Sequence, residues 1–157
     1  MEMTARKRMT RLVIAGVLVG SGWLAGAMYA QGSKSVKKDF LNPTPGRFSG
    51  AVVAYTGGTK LIYVSGQVGR GDDLKTQAVA AYQNVLKQLS AAGAGPEDVI
   101  KLNTYIANFT AADRAPYDEA KKQVFPQNDM PASTMVGVQS LIGTSRIEVE
   151  AVAVIKE

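Results

Sequence analysis

The chain of 157 residues has 18 basic and 13 acidic side chains, a formal charge of +5, and neither Cys nor His. That length suits one domain with a proper core; the missing residue types exclude disulfides, thiol nucleophiles, Ser-His or Cys-His catalysis and the common zinc sites, so no metal centre is expected. Carboxylates are left as the first acid-base candidates, ahead of Lys and Tyr. Arg6, Lys7, Arg8 and Arg11 against Glu2 account for +3 of the charge, and from Met28 onward 14 basic residues stand against 12 acidic ones, which is no footprint of a nucleic-acid binder.

After that basic start, Leu12 to Ala30 are 19 residues without a charge. Residues 1–30 therefore have the n-region and h-region of an export signal, with Ala25-Gly26-Ala27 as an A-x-A cleavage site. The alternative is an uncleaved inner-membrane anchor, since the run is long enough to span and holds Gly16-x-x-x-Gly20 and Gly22-x-x-x-Gly26. Either way the positive end stays in the cytoplasm, and the domain is expected to be exported, periplasmic or otherwise extracytoplasmic. Only residues 12–30 of an uncleaved leader would meet a membrane. Residues 31–46, polar and punctuated by Pro43 and Pro45, are expected to be a linker to a domain over 47–157.

Phe48 to Thr56 and Leu61 to Gln67 have strand composition, and Gly57-Gly58 between them predicts a hairpin turn. A glycine inside the second strand, Gly66, marks a bulge or a close backbone approach. Asp72 or Asp73 is placed to cap a helix over Leu74 to Ala92, where Leu74, Ala78, Ala81, Tyr82, Val85, Leu89 and Ala92 recur at three- and four-residue spacing and Gly93 supplies the stop. Tyr82 falls on the core stripe. Val99 to Asn108 alternates as a strand. Thr110 to Asp113 resembles a capping box that opens a second helix ending near Phe125.

Ala132 to Leu141 and Arg146 to Ile155 are rich in Val, Ile and Thr, and Ile142 to Ser145 between them suggests a turn joining two antiparallel strands. In the second, Ile147, Val149, Ala151, Ala153 and Ile155 share one face, and Arg146, Glu148, Glu150, Val152 and Val154 share the other. The order β-β-α-β-α-β-β with paired strands predicts an α+β fold, both helices on one face of the sheet and the other face open beneath Glu148 and Glu150. Those two carboxylates are either chemistry or buried charges tied to Arg146 or Lys101.

Four stretches in this order resemble the RidA family, also called YjgF-type reactive intermediate deaminases: Ser65-Gly66-Gln67, AAGAGPEDVIKLNTYI at Ala91 to Ile106, PAST-x-VGV at Pro131 to Val138, and IEVEAVAV at Ile147 to Val154. The resemblance covers roughly Arg47 to Ile155. It implies a chorismate-mutase-like α+β fold, assembled as a homotrimer whose open sheet faces pack inside and whose pockets lie between subunits. Family members of the deaminase branch hydrolyse enamines and imines, such as 2-aminoacrylate, to 2-keto acids and ammonia without a cofactor. On this resemblance Glu148 takes the place of the Glu that positions water and serves the proton transfers. Ser65, Gly66 and Phe48 correspond to substrate-pocket positions, and Arg114 lies near a pocket Asn position. The family's link to ribonuclease activity is disfavoured by export and by the small charge of the domain.

One departure stands out. The deaminase branch has an Arg that clamps the substrate carboxylate, and this chain has Ser133 there. A bidentate Arg-carboxylate contact contributes about 1.5–3 kcal/mol, so Ser should weaken binding of a 2-imino acid roughly ten- to a hundredfold. Arg146, two residues before Glu148, either enters the pocket or pairs with a carboxylate, and Arg114 is placed to reach a neighbouring subunit's pocket. Two functions follow: a divergent imine or enamine hydrolase, or a non-catalytic trimer that binds a small-molecule ligand or a partner protein in the same pocket.

Overall fold

The computed structural model describes residues 35–125 and 128–157. The expected leader and the first part of the expected linker lie outside the described residues. Eight elements follow in chain order: β1 (Lys38–Thr44), β2 (Phe48–Thr56), β3 (Thr59–Val68), α1 (Leu74–Ala91), β4 (Val99–Ala107), α2 (Arg114–Val124), β5 (Ala132–Val138) and β6 (Ile147–Lys156). The strands form one sheet in the order β1-β2-β3-β6-β4-β5. This is the expected α+β architecture, with one strand more than the sequence suggested.

The extra strand is β1, and it corrects the linker assignment for residues 38–44. It pairs antiparallel with β2, Lys38 opposite Ala54 and Thr44 opposite Phe48. Pro43 is tolerated because β1 is an edge strand, where a missing N–H breaks no ladder. The connection is a tight turn closed by Arg47 N–H donating to the Thr44 carbonyl at 3.0 Å, with Pro45 at its second position and Gly46 at φ 71°. A Pro followed by a left-handed Gly is the signature of a type II turn. Between β2 and β3, Gly57 and Gly58 both have positive φ, as the predicted hairpin requires.

The second correction concerns the C-terminal strands. β5 does not pair with β6; it runs parallel to β4, Ser133 opposite Leu102 and Val136 opposite Tyr105. A parallel neighbour needs a crossover, and α2 provides it. β6 instead enters the middle of the sheet, antiparallel to both β3 and β4. A strand whose inward residues Ile147, Val149, Ala151 and Ala153 are all buried belongs at the centre rather than at an edge.

α1 begins where the Asp73 carboxylate accepts the Thr76 N–H at 2.7 Å, and it ends at Gly93 with φ 83°. Its buried stripe, Leu74, Ala78, Ala81, Tyr82, Val85 and Leu89, follows the predicted spacing. The Thr110–Asp113 capping box forms as well, Asp113 accepting the Thr110 N–H at 2.7 Å. Tyr82 meets Phe125 edge-on at 5.4 Å and Tyr117 at 6.5 Å between ring centres, which ties the two helices together. Fully burying each such apolar side chain contributes about 1.5–3 kcal/mol, so this shared seam fixes the helix layer on the sheet. The other sheet face carries exposed apolar groups, Phe40, Tyr63 and Val136, which cross-strand register places with Glu148, Glu150 and Tyr105.

Candidate functional site

The centre of the site is a bulge. β3 and β6 pair regularly up to Val64 and Ala151, then shift register before Gln67. Ser65 and Gly66 occupy the irregular step. The Ser65 hydroxyl donates to the Ser49 carbonyl at 2.7 Å, which anchors the bulge to β2, while Gln67 Nε2 donates to the Ser65 and Gly66 carbonyls at 2.9 and 3.2 Å. The Ser-Gly-Gln sequence thus satisfies the backbone groups that the bulge leaves without ladder partners.

Glu148 lies across this step. A Cβ built on Gly66 would stand 2.7 Å from the carboxyl carbon of Glu148 and 3.0 Å from its Cγ. The Glu148 side chain therefore rests on the glycine backbone in space that any other residue would fill. Glu148 is half-buried on the open face of β6, flanked by Val68 of β3 and Tyr105 of β4. No hydrogen bond or ion pair joins its carboxylate to another side chain among the described residues. Such a carboxylate is available to accept a proton or to hold a water.

Glu150, two residues along the same face, is engaged. Its Oε2 accepts from the Tyr105 hydroxyl at 3.3 Å and from Asn103 Nδ2 at 3.5 Å. The negative charge of Glu150 pushes the Tyr105 phenol above its ordinary pKa. Lys101 turns away and donates to Thr134 Oγ1 at 2.6 Å. Within the single chain neither acid is tied to Lys101 or Arg146 among the described residues. A cleft of about 400 Å³ lies between Tyr63, Ser65, Lys101, Asn103 and Glu150.

The remaining candidates separate from this centre. Arg146 does not enter the Glu148 site: its Nη2 donates to both carboxylate oxygens of Asp113 at 3.1 Å and to the Ala107 carbonyl at 3.3 Å. Arg146 lies just before β6, where its own N–H is taken by Gln77 Oε1 at 2.8 Å, so the alternation of the strand does not extend to it. The guanidinium pairing was one of the two readings of this residue, and the structure selects it. Arg114 pairs with Asp118 one helical turn on, at 2.7 Å, and is largely exposed. Phe48 opens β2 and is 54% exposed.

Ser133 is exposed near the start of the edge strand β5. Its register partner Leu102 is buried beneath the helices, so Ser133 points to the helix side, whereas Glu148 points to the open side. A single chain does not bring Ser133 and Glu148 together. On the helix side Ser133 approaches the Tyr117 phenol: burial pushes that phenol up, but the hydroxyls of Thr104, Tyr82 and Ser133 more than offset this and leave it below its ordinary value. Sequence reasoning identified Tyr82 as core and passed over Thr104 and Tyr117. Thr104 was findable from the β4 alternation, in which it falls between Leu102 and Ile106.

The sheet order, the crossover helix and the glycine-seated carboxylate define an α+β protein with a candidate acid-base site on an open sheet face. Among known proteins, the family model described as Endoribonuclease L-PSP matches residues 42–155. A 2-iminobutanoate/2-iminopropanoate deaminase of Dermatophagoides farinae is 35% identical over 125 residues, covering 74% of this chain and 92% of its own. A YjgF-family structure from Neisseria meningitidis aligns with a TM-score of 0.68 at 22% identity, covering 77% of this chain and 97% of the other. RidA from the Antarctic bacterium Psychrobacter sp. aligns at 0.61 with 26% identity, covering 78% and 99%. The chain belongs to the Endoribonuclease L-PSP family, the family of RidA and YjgF.

Proposed function

We propose that this protein is an exported, cofactor-independent imine or enamine hydrolase, diverged in how it holds its substrate. The observation that carries the reading is Glu148 seated on Gly66 with no side-chain partner among the described residues, at the motif that the family's deaminases use for proton transfer. The 35% identity to an imine deaminase supports the reaction class.

The chemistry needs little machinery. Glu148 takes a proton from water as the oxygen attacks the imine carbon and delivers it to the nitrogen, giving a carbinolamine; it then takes the carbinolamine hydroxyl proton and delivers it to the nitrogen as the C–N bond breaks and the carbonyl forms. Water and an imine become a carbonyl compound and ammonia, with the carboxylate regenerated. An enamine first gains a proton on carbon, which the acid form of the same group can deliver. Positioned proton transfer of this kind contributes on the order of 10²–10⁴ in rate.

In this reading the site is completed by a second copy. The exposed Phe40, Tyr63 and Val136 on the open face are the surface that a homotrimer would cover. A neighbouring copy would also be the source of groups that this chain does not bring to Glu148. Ser133 offers one neutral hydroxyl where the deaminases have a guanidinium, so substrates without a carboxylate should be handled relatively better than 2-imino acids. The charged and apolar runs of residues 1–30 support export.

A second reading is favoured by Ser133 facing the helices: the same fold serving as a non-catalytic trimeric binding module. Purified protein supplied with 2-aminoacrylate and with uncharged imines separates the two. Hydrolysis above the buffer rate for any of them supports the enzyme, and buffer-rate hydrolysis of all of them supports the binding module.

A further inference from the structure

A cleft of about 540 Å³ opens at the end of the sheet where β3 stops and β6 begins. One wall is the loop after β3, with Gly69 and Arg70; the other is the turn before β6, with Ile142 and Ser145. α1 holds the two walls in place through a single side chain. Gln77 Nε2 donates to the Gly71 carbonyl at 3.0 Å, and Gln77 Oε1 accepts the Arg146 N–H at 2.8 Å. The Ser145 hydroxyl adds a long contact to the Gly69 carbonyl at 3.5 Å. The cleft is therefore formed before a ligand arrives, as small-molecule sites usually are.

The cleft adjoins the Glu148 site. Val68, one of its lining residues, stands directly opposite Glu148 in the β3–β6 register, so the two side chains are neighbours on the open face. Arg70 follows Val68 by two residues, at most about 7 Å along the chain. Its guanidinium forms no hydrogen bond or ion pair among the described residues, whereas Arg114 and Arg146 are both paired with carboxylates. Of the two acids in the same loop, Asp73 is taken up in capping α1, and Asp72 does not line the cleft.

We propose that Arg70 holds a carboxylate of the ligand whose reacting carbon lies at Glu148, with an aliphatic spacer passing over Val68 and Ile142. The ligand class is an imine or enamine that carries a carboxylate a few bonds from the imine carbon, a position distinct from the adjacent one, where Ser133 offers no charge. A single guanidinium with Asp72 nearby suits a monoanionic carboxylate better than a phosphate dianion. The reacting group in this assignment rests on the hydrolase reading; the carboxylate subsite does not.

Titration calorimetry of the full chain with 2-oxoglutarate and with its 5-methyl ester, stable stand-ins for an imine of that skeleton, isolates the distal charge. Wild type should bind the dicarboxylate roughly three- to tenfold more tightly than the ester, a modest ratio because Arg70 is exposed. Arg70→Gln should abolish the preference and leave Tm unchanged, since Arg70 has no partner to lose. Glu148→Gln should keep the preference. Equal binding of the two ligands by wild type, binding of neither, or a preference that survives Arg70→Gln overturns the proposal. Absence of imine hydrolysis with the preference intact counts against the hydrolase and leaves the subsite standing.

Discussion

Gly66→Ala is the perturbation whose result follows most directly from the geometry. The new methyl would lie 2.7 Å from the Glu148 carboxyl carbon, well inside contact distance, and the group in its way is the end of a flexible side chain. Gly66 does not require positive φ, so the backbone accepts Ala. Two small effects on stability then oppose each other. Replacing Gly by Ala stabilises by about 0.4–1 kcal/mol through the unfolded chain, while forcing Glu148 off its rotamer costs about 0.5–1.5 kcal/mol. Urea unfolding should therefore show a change within about 1 kcal/mol of zero. Activity should fall much further. With Glu148 displaced from the bulge, most of the positioned proton-transfer contribution is lost, a drop of at least about 10² in kcat/KM for whichever imine the wild type hydrolyses. A Gly66→Ala protein that is as stable and as active as wild type would refute the claim that Glu148 acts from its seat on this glycine.

Gly69→Ala is the matched control, because its Cβ would meet backbone of α1, 2.6 Å from the Ala81 nitrogen, rather than a mobile side chain. Here the loss should be in stability, about 3 kcal/mol or more by denaturant unfolding. The Asp113–Arg146 pair should show a coupling of about 0.5–1.5 kcal/mol in an Asp113→Ala/Arg146→Ala double-mutant cycle, at the low end because Arg146 is 40% exposed. The Thr110 N–H, first, and the Arg146 guanidinium hold the Asp113 carboxyl below its ordinary value of 3.8 against the effect of burial. That stabilisation is present above 3.8 and is lost as pH falls through the lower folded value, so Asp113→Asn should flatten the acid limb of the stability profile. Ser133→Arg should improve kcat/KM for 2-imino acids over uncharged imines roughly ten- to a hundredfold if a neighbouring copy presents this position to the substrate carboxylate; an unchanged ratio would place it outside the pocket.

The elements legible in the sequence were those whose local pattern and tertiary role agree. The four buried residues of β6 alternate without a break, the α1 stripe keeps helical spacing, and Gly57-Gly58 can hardly be anything but a tight turn. β1 was obscured because an edge strand has little apolar pattern to show, and Asn42, at φ 47°, and Pro43 interrupt it. Pro45-Gly46 carried the missed information. The partner of β5 was not encoded locally: a turn-like Ile142 to Ser145 suggests a hairpin, but two flanking strands, β3 and β4, already claim both edges of β6.

The site divided in the same way. Glu148 and Gly66 follow from one alternating strand and one out-of-place glycine, and the structure puts them in contact. Arg146 was misplaced on the Glu148 face because alternation was carried one residue past the strand's start. The orientation of Ser133 depends on β5 pairing parallel to β4, which no residue of β5 announces.

The central claim, catalysis by Glu148, is tested most directly by comparing wild type with Glu148→Gln, a substitution that keeps size and removes the base. Ammonia release from enzymatically generated 2-aminoacrylate and from uncharged imines should exceed the buffer rate in wild type and drop by about 10²–10⁴ in the variant, with unfolding little changed. Equal rates for the two proteins would contradict the account.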